Sequence, residues 1–325
     1  MGKYATIIHD FSPKENHLHV DFLQKKPNRM KKTSAEQKSY YWEDENSQAD
    51  GAVESGNSIN SGFSLEPFPR MCYDKHGSVN SMEQFSRTIS LIGQEAFDRV
   101  HQARVAVFGV GGVGGYVCEA LVRSGIAEID LFDRDDVSIS NLNRQIIALH
   151  STIGQDKVDA MAARLKDINP NVRVNCRKMF YLPATADEVD LSVYDFVVDA
   201  VDTIAAKLEL ARRCEQGGIR FISAMGAGNK LDPSCLRIAD ITKTSVCPLA
   251  RAMRVSCKKK GIRHMTVAYS LEPMHPPVQP IAEESGRRKD IPGSTAFVPG
   301  AMGLLIASHV VRTLMAGDEP ARPEG

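Results

Sequence analysis

The sequence of 325 residues carries no net charge, because 40 lysines and arginines balance 40 aspartates and glutamates. A chain without a global bias toward polyanions meets nucleic acid only through a local patch. It also lacks any Cys-x-x-Cys pair. Its seven cysteines (Cys72, Cys118, Cys176, Cys214, Cys235, Cys247, Cys257) are odd in number and widely spread. That pattern excludes a disulfide framework and a zinc site of ordinary spacing, and it indicates a reducing compartment. No apolar leader opens the chain. The longest apolar tract, residues 296 to 311, is interrupted by Pro299, two glycines and His309. It predicts a buried helix, not a membrane span. What is present, 42% hydrophobic and 25% charged residues, is the composition of a soluble globular protein of one large or two modest domains, expected in the cytoplasm.

Residues 1–82 differ from the rest. Ser, Asn, Lys and Glu dominate, apolar residues show no sustained period, and the single tryptophan, Trp42, sits beside Tyr40 and Tyr41. So little apolar surface predicts a disordered extension. Ten basic against eleven acidic residues exclude a basic nucleic-acid arm and an organelle transit peptide, and Met82 offers an internal start.

From residue 83 to 325, short apolar runs alternate with helical patterns, the signature of an α/β domain with a doubly wound, Rossmann-like, mostly parallel sheet and helices on both faces. Strands are predicted at 104–109, 128–133, 172–176, 194–199 and 220–224. Helices are predicted at 115–124, 156–168 and 205–216, the last capped by Gly217-Gly218. Parallel strands joined by right-handed crossovers place their carboxyl ends along one edge, where ligand chemistry is expected.

Gly109-Val-Gly111-Gly112-Val-Gly114 follows the first strand and opens a helix. Glycine lets backbone approach phosphates, and the helix amino end offers unpaired N–H groups. Asp133, 19 residues beyond Gly114 at the end of the second strand, suits a carboxylate that accepts ribose hydroxyls. Together they predict an adenine nucleotide. Downstream stand Asp135, Asn141, Arg144, Gln145, Lys157 and, after the fourth strand, Asp202. Hydride transfer has no use for cations and a second carboxylate around a phosphate. Cleavage of ATP between its α and β phosphates does, because cations neutralise the triphosphate and a carboxylate holds Mg²⁺. Taken singly, Arg144 and Lys157 also read as solvated charges on helix faces, and Asp202 as a helix N-cap.

These residues resemble the adenylating superfamily of ubiquitin-activating enzymes and of the molybdopterin-synthase and thiazole-biosynthesis adenylyltransferases, over about Arg87 to Gly317. The resemblance implies that Gly109, Gly111, Gly112 and Gly114 form the phosphate loop and that Asp133 holds ribose with Asp135 close by. It implies that Asn141, Arg144, Gln145 and Lys157 meet the triphosphate, and that Asp202 positions Mg²⁺ and the attacked phosphate. It also implies a homodimer in which Arg87 reaches the neighbour's nucleotide. A monovalent cation site belongs to the same family expectation, whereas zinc is not expected.

The carrier-protein branch typically has two Cys-x-x-Cys pairs and an acceptor cysteine; this chain has neither pair. The segments Gly226 to Asp232, Ile238 to Arg254 and Gly293 to Gly303 look instead like the tRNA-modifying branch, which adenylates the carboxylate of threonylcarbamoyladenosine and closes it to a ring. The substrate side is then about 226–317. An adenylyltransferase for a ubiquitin-like or sulfur-carrier protein stays open as the alternative, with such carriers or sulfur-transfer proteins as partners; a nucleotide-sensing scaffold and an NAD-dependent oxidoreductase stand behind it. A tRNA substrate fits the run Arg251 to His264, whose Arg251, Arg254, Lys258, Lys259, Lys260 and Arg263 occur without an acidic residue; its plain alternative is a solvated helix end. Cys247 and Cys118 read as buried packing thiols, and Lys230 and Asp232 are placed on the substrate side.

Overall fold

The computed structural model describes residues 82–279 and 292–317; the expectation of disorder over 1–82 lies outside the described residues, Met82 apart. Helices α1 (Ser86–Ile92) and α2 (Gln94–Gln102) come first. Strand β1 (Arg104–Phe108) then feeds α3 (Gly114–Arg123), β2 (Glu128–Phe132), α4 (Lys157–Ile168) and β3 (Arg173–Arg177). β4 (Phe196–Asp199), α5 (Ile204–Gly217) and β5 (Phe221–Ala224) follow. β6 (Leu236–Asp240), α6 (Pro248–Lys260), β7 (Thr266–Ser270) and α7 (Phe297–Ala316) complete the domain.

The sheet order is β3-β2-β1-β4-β5-β7-β6, and only the β6–β7 pairing is antiparallel. All five predicted strands are present and mutually parallel. β1, β2 and β4 are buried almost throughout, as strands covered on both faces must be. The edge pair β6 and β7 was not anticipated: β6 is half-exposed along most of its length, so it offers no apolar run to read.

The apolar tract is longer than expected. α7 runs 20 residues through Arg312 to Ala316, and by length and composition alone it is able to cross a membrane. Its packing assigns it to the core: Val298, Met302, Ile306, Val310 and Leu314 recur every four residues and are buried in the main hydrophobic cluster. Pro299 sits in the first turn, where its missing N–H breaks no helical bond. At Gly303 a Cβ would stand 2.5 Å from the Val113 carbonyl and 2.7 Å from the Tyr116 Cβ, so glycine sets how closely α7 approaches α3.

One ion pair among the described residues is wholly out of water. Lys207 on α5 places Nζ 3.2 Å from Oδ2 of Asp199, the last residue of β4. The ammonium also donates to the Ala224 carbonyl (2.7 Å), and the Ser223 hydroxyl donates to Asp199 Oδ2 (2.5 Å). Asp199 Oδ1 accepts the Val201 N–H, which ties the pair to the turn that leaves β4. Removing one partner strands the other charge. Lys207→Met is expected to cost about 3–5 kcal/mol in urea denaturation, and Lys207→Met combined with Asp199→Leu to recover part of it. A single variant as stable as the parent would show that the pair is not held in a dry environment.

Candidate active site

The chain reverses direction across the sheet between β1 and β4, and a cavity of about 490 Å³ opens there at the carboxyl ends of the strands. Part of its wall is built from glycine. Gly109, at φ 88°, lies so close to β4 that a Cβ would fall 2.7 Å from the Ala200 carbonyl oxygen, and at Gly114 a Cβ would fall 1.8 Å from that of Gly109. Gly111 and Gly112 line the cavity, while Gly114 closes the turn beneath it.

The structure brings Asp133, Asp135, Asn141, Arg144, Gln145, Lys157 and Asp202 into the same cavity wall. Asp133 is fixed by backbone: Val110 N–H donates to Oδ2 (2.7 Å) and Asp135 N–H to Oδ1 (2.9 Å). Each oxygen still has a lone pair for a ligand hydroxyl. Lys157, the first residue of α4, is buried to 7% side-chain exposure and pairs with Asp135 at 2.7 Å. A cation at a helix amino end opposes the helix dipole, so Asp135 compensates a placement that serves the cavity.

Asn141 ends a short 3₁₀ turn in which its Oδ1 accepts the Ser138 N–H and Ser138 caps in return. Arg144 Nη1 donates to the Ser140 carbonyl and to Asn143 Oδ1. Asn143 in turn donates to the Ser294 carbonyl (2.9 Å), joining this loop to the segment before α7. Gln145 is buried with its side-chain oxygen unpartnered. An orphaned polar atom beside a glycine cradle fits a hydrogen-bonding ligand. Asp202 is exposed and accepts from the Thr203 hydroxyl; the N-cap position of α5 belongs to Thr203, which corrects the reading of Asp202 as the cap.

Other expected residues lie elsewhere. Arg87 is exposed on α1 and does not line the cavity. Lys230 is buried and donates to the Glu272 carbonyl, and Asp232 caps its own turn through the Ser234 N–H. Neither is among the residues that line the cavity; Lys230 anchors the loop that presents Gly228 to it. Cys247 is buried at the start of α6, and burial pushes the Cys118 thiol far above its ordinary range.

The basic run is divided. Arg254 donates from Nη1 to the Thr244 carbonyl (2.7 Å) and hydroxyl (2.5 Å), fastening α6 to the turn before it. Arg251, Lys258, Lys259, Lys260 and Arg263 are exposed. The lysines end α6 just before β7, which runs parallel to β5, and the Arg263 and His264 N–H groups bind Glu215 at the end of α5. They therefore occupy the amino edge of the sheet, opposite the cavity.

The sequence reading missed the far wall. Met179, Phe180, Tyr181 and Leu182, past β3, line the cavity together with Arg134 and Val201. Phe132 stacks on Phe108 at 4.1 Å, with Tyr181 edge-on to Phe108, and burial pushes the Tyr181 phenol up to about 12. The only signal was an apolar run in a predicted loop.

The family model described as "ThiF family" matches residues 85–324. The tRNA threonylcarbamoyladenosine dehydratase of Bacillus subtilis (strain 168) is 43% identical over 255 residues, spanning 74% of this chain and 98% of that protein. The Escherichia coli (strain K12) protein of the same name is 32% identical, spanning 72% and 94%. The crystal structure of the E. coli protein in complex with ATP aligns with a TM-score of 0.65 at 30% identity, over 75% of this chain and 97% of that one. A complex with AMP aligns with a TM-score of 0.66 at 32% identity, over 72% and 95%. The chain belongs to the ThiF family.

Proposed function

We propose that this protein uses ATP to activate the carboxylate of threonylcarbamoyladenosine in tRNA and closes it to a ring. The observation that carries the reading is the convergence of the glycine cradle, Asn141, Arg144, Gln145, Lys157 and Asp202 on one cavity; the relatives' name supplies the substrate. The carboxylate oxygen attacks the α-phosphorus and pyrophosphate leaves. A nucleophile of the same modified side chain then attacks the acyl carbon, AMP departs with the former carboxylate oxygen, and one proton is released. The substrate loses one water while ATP becomes AMP and pyrophosphate, with no acceptor cysteine needed.

In this reading Gly109, Gly111 and Gly112 let the phosphates approach backbone, and Asp133 accepts ribose hydroxyls. Arg144 and Lys157 neutralise the triphosphate, with Lys157 exchanging part of its pairing with Asp135 for phosphate, while Asn141 and Gln145 orient it as amide N–H donors. Asp202 holds Mg²⁺, which supplies charge neutralisation on the phosphates when bound; a single protein carboxylate plus phosphate oxygens is an ordinary ligand set for this ion. The domain begins at residue 83, and the 226–317 region serves the substrate. Arg87 completes the site of a second copy in a homodimer, a role favoured by its exposure near Leu91 and by Leu304 and Phe297, large apolar side chains left exposed on α1 and α7. The reaction is placed in the cytoplasm.

The exposed lysines at the end of α6 contact the phosphate backbone of the tRNA body, about 20 Å of helix away from the cavity side. Changing Lys258, Lys259 and Lys260 to Ala is expected to weaken tRNA binding and to lower the slope of log affinity against log salt by about 2, with ATP binding intact; an unchanged tRNA affinity excludes this surface. The reaction itself is tested by nucleoside mass analysis of tRNA incubated with the protein and Mg-ATP. Loss of one water from threonylcarbamoyladenosine is expected, and Asp202→Ala is expected to slow it roughly a hundredfold or more. An unaltered nucleoside mass with active protein sinks the assignment.

A further inference from the structure

Asn143 is exposed, so packing does not fix it, yet both halves of its carboxamide are engaged by different parts of the chain. Its Nδ2 donates to the carbonyl of Ser294, 151 positions away (2.9 Å), and its Oδ1 accepts from Nη1 of Arg144, the next residue (2.9 Å). Arg144 Nη1 also donates to the Ser140 carbonyl (2.8 Å). A terminal guanidinium nitrogen carries two N–H groups, so Nη1 is spent on holding the side chain in place. Nε and Nη2 meet no protein acceptor among the described residues. The stem of Arg144 crosses the glycine loop, where a Cβ at Gly112 would stand 3.5 Å from its Cγ.

The Ser294 anchor is itself held. The Asn229 N–H donates to the Gly293 carbonyl (2.7 Å), and the Gly293 N–H donates to Asn229 Oδ1 (2.7 Å). Asn229 adopts φ 57°, the left-handed region that asparagine enters more readily than most residues, and its carbonyl accepts the His275 N–H (2.9 Å). Next to it, a Cβ at Gly228 would fall 2.8 Å from the Pro292 Cβ. Residues 292–294 are thereby clasped between the loop after β5 and the loop after β2. Two asparagines, on loops that do not touch in sequence, grip the same short segment.

We infer that Asn143 is a positioning residue, which aims the Arg144 guanidinium from the clasped segment 292–294. The inference rests on the cavity being the ATP site, and it names what orients one of the cations there. A long arginine side chain is ordered before the ligand arrives, so binding is relieved of that ordering cost. Only Nε and Nη2 are left to act.

The plain alternative is a staple between two loops that has no bearing on Arg144, and a double-mutant cycle separates the two. ATP affinity of the full chain is measured by calorimetry without tRNA for the parent, Asn143→Ala, Asn143→Gln, Asn229→Gly, Arg144→Ala and the Asn143→Ala/Arg144→Ala pair. Urea denaturation is followed alongside, and each variant is expected to unfold near the parent. Arg144→Ala is expected to weaken ATP binding by more than about tenfold and Asn143→Ala by about fivefold. Asn143→Gln, which keeps both amide groups, is expected to recover most of that loss. With Arg144 already removed, Asn143→Ala is expected to cost nothing further. Asn229→Gly retains the left-handed backbone but withdraws the acceptor from Gly293, and a smaller loss in the same direction is expected. Parent affinity in Asn143→Ala overturns the inference, and so does a loss that persists in the Arg144→Ala background, which marks the staple. A Gln variant no tighter than the Ala variant overturns it as well, and parent affinity in Asn229→Gly overturns the mooring through 292–294. If Arg144→Ala binds ATP as the parent does, or the parent binds none, the reading of the cavity itself falls and the inference with it.

Discussion

The contact on which the site depends is the abutment of bare backbone at the β1–β4 seam. Gly109 approaches the Ala200 carbonyl, and Gly114 approaches the Gly109 carbonyl, at distances that leave no room for a Cβ. β1 and β4 are hydrogen-bonded neighbours in the sheet, yet the chain leaves them in opposite directions, toward β2 on one side and β5 on the other. A crevice results wherever a doubly wound sheet divides in this way. On the proposed reading, the bare backbone at Gly109, Gly111 and Gly112 is what lets phosphates approach the amino end of α3.

Charge preorganises the rest. Asp133 is held by two backbone N–H groups and Lys157 by Asp135, and the turn bearing Asp202 is tied through Val201 to the buried Asp199–Lys207 pair. Each device fixes a charged group before any ligand arrives, so little reorganisation remains for the moment of reaction. The buried pair carries a desolvation cost of its own; set directly beneath the turn after β4, it exchanges stability for a defined geometry there.

The parts of this arrangement that were legible in the sequence share one property: they are local. Gly109 to Gly114 and Asp133 belong to one β-α-β unit whose periodicity announces itself, and Asn141 to Gln145 is a contiguous segment. The far wall was not legible because Phe180 and Arg134 lie 46 positions apart and meet only through the pairing of β2 with β3. β6 and β7 were missed for a related reason: both are short, β6 is the half-exposed edge strand, and the two pair across the intervening α6 with little periodic signal. Lys230, Asp232 and Arg254 show the opposite case. Their positions in the sequence invited functional roles, but the structure spends them on a carbonyl, a turn and a helix anchor.

The separation of the two charged regions limits what each is able to do. At physiological ionic strength the screening length is about 8 Å, shorter than the roughly 20 Å of α6, so the lysines at its end add nothing to the potential inside the cavity. The cavity must attract its anion unaided, and its wall balances three cations, Arg134, Arg144 and Lys157, against three carboxylates, Asp133, Asp135 and Asp202. The neutrality of the whole chain is repeated at the site. On the proposed reading a triphosphate carries several negative charges into a neutral wall, so selectivity for it rests on the placement of the cations and peptide N–H groups and not on net charge. On the proposed reading the excess negative charge is met by a divalent cation that enters with the nucleotide, which is why Asp202 is exposed and, among the described residues, forms no ion pair, while Asp135 is paired with Lys157.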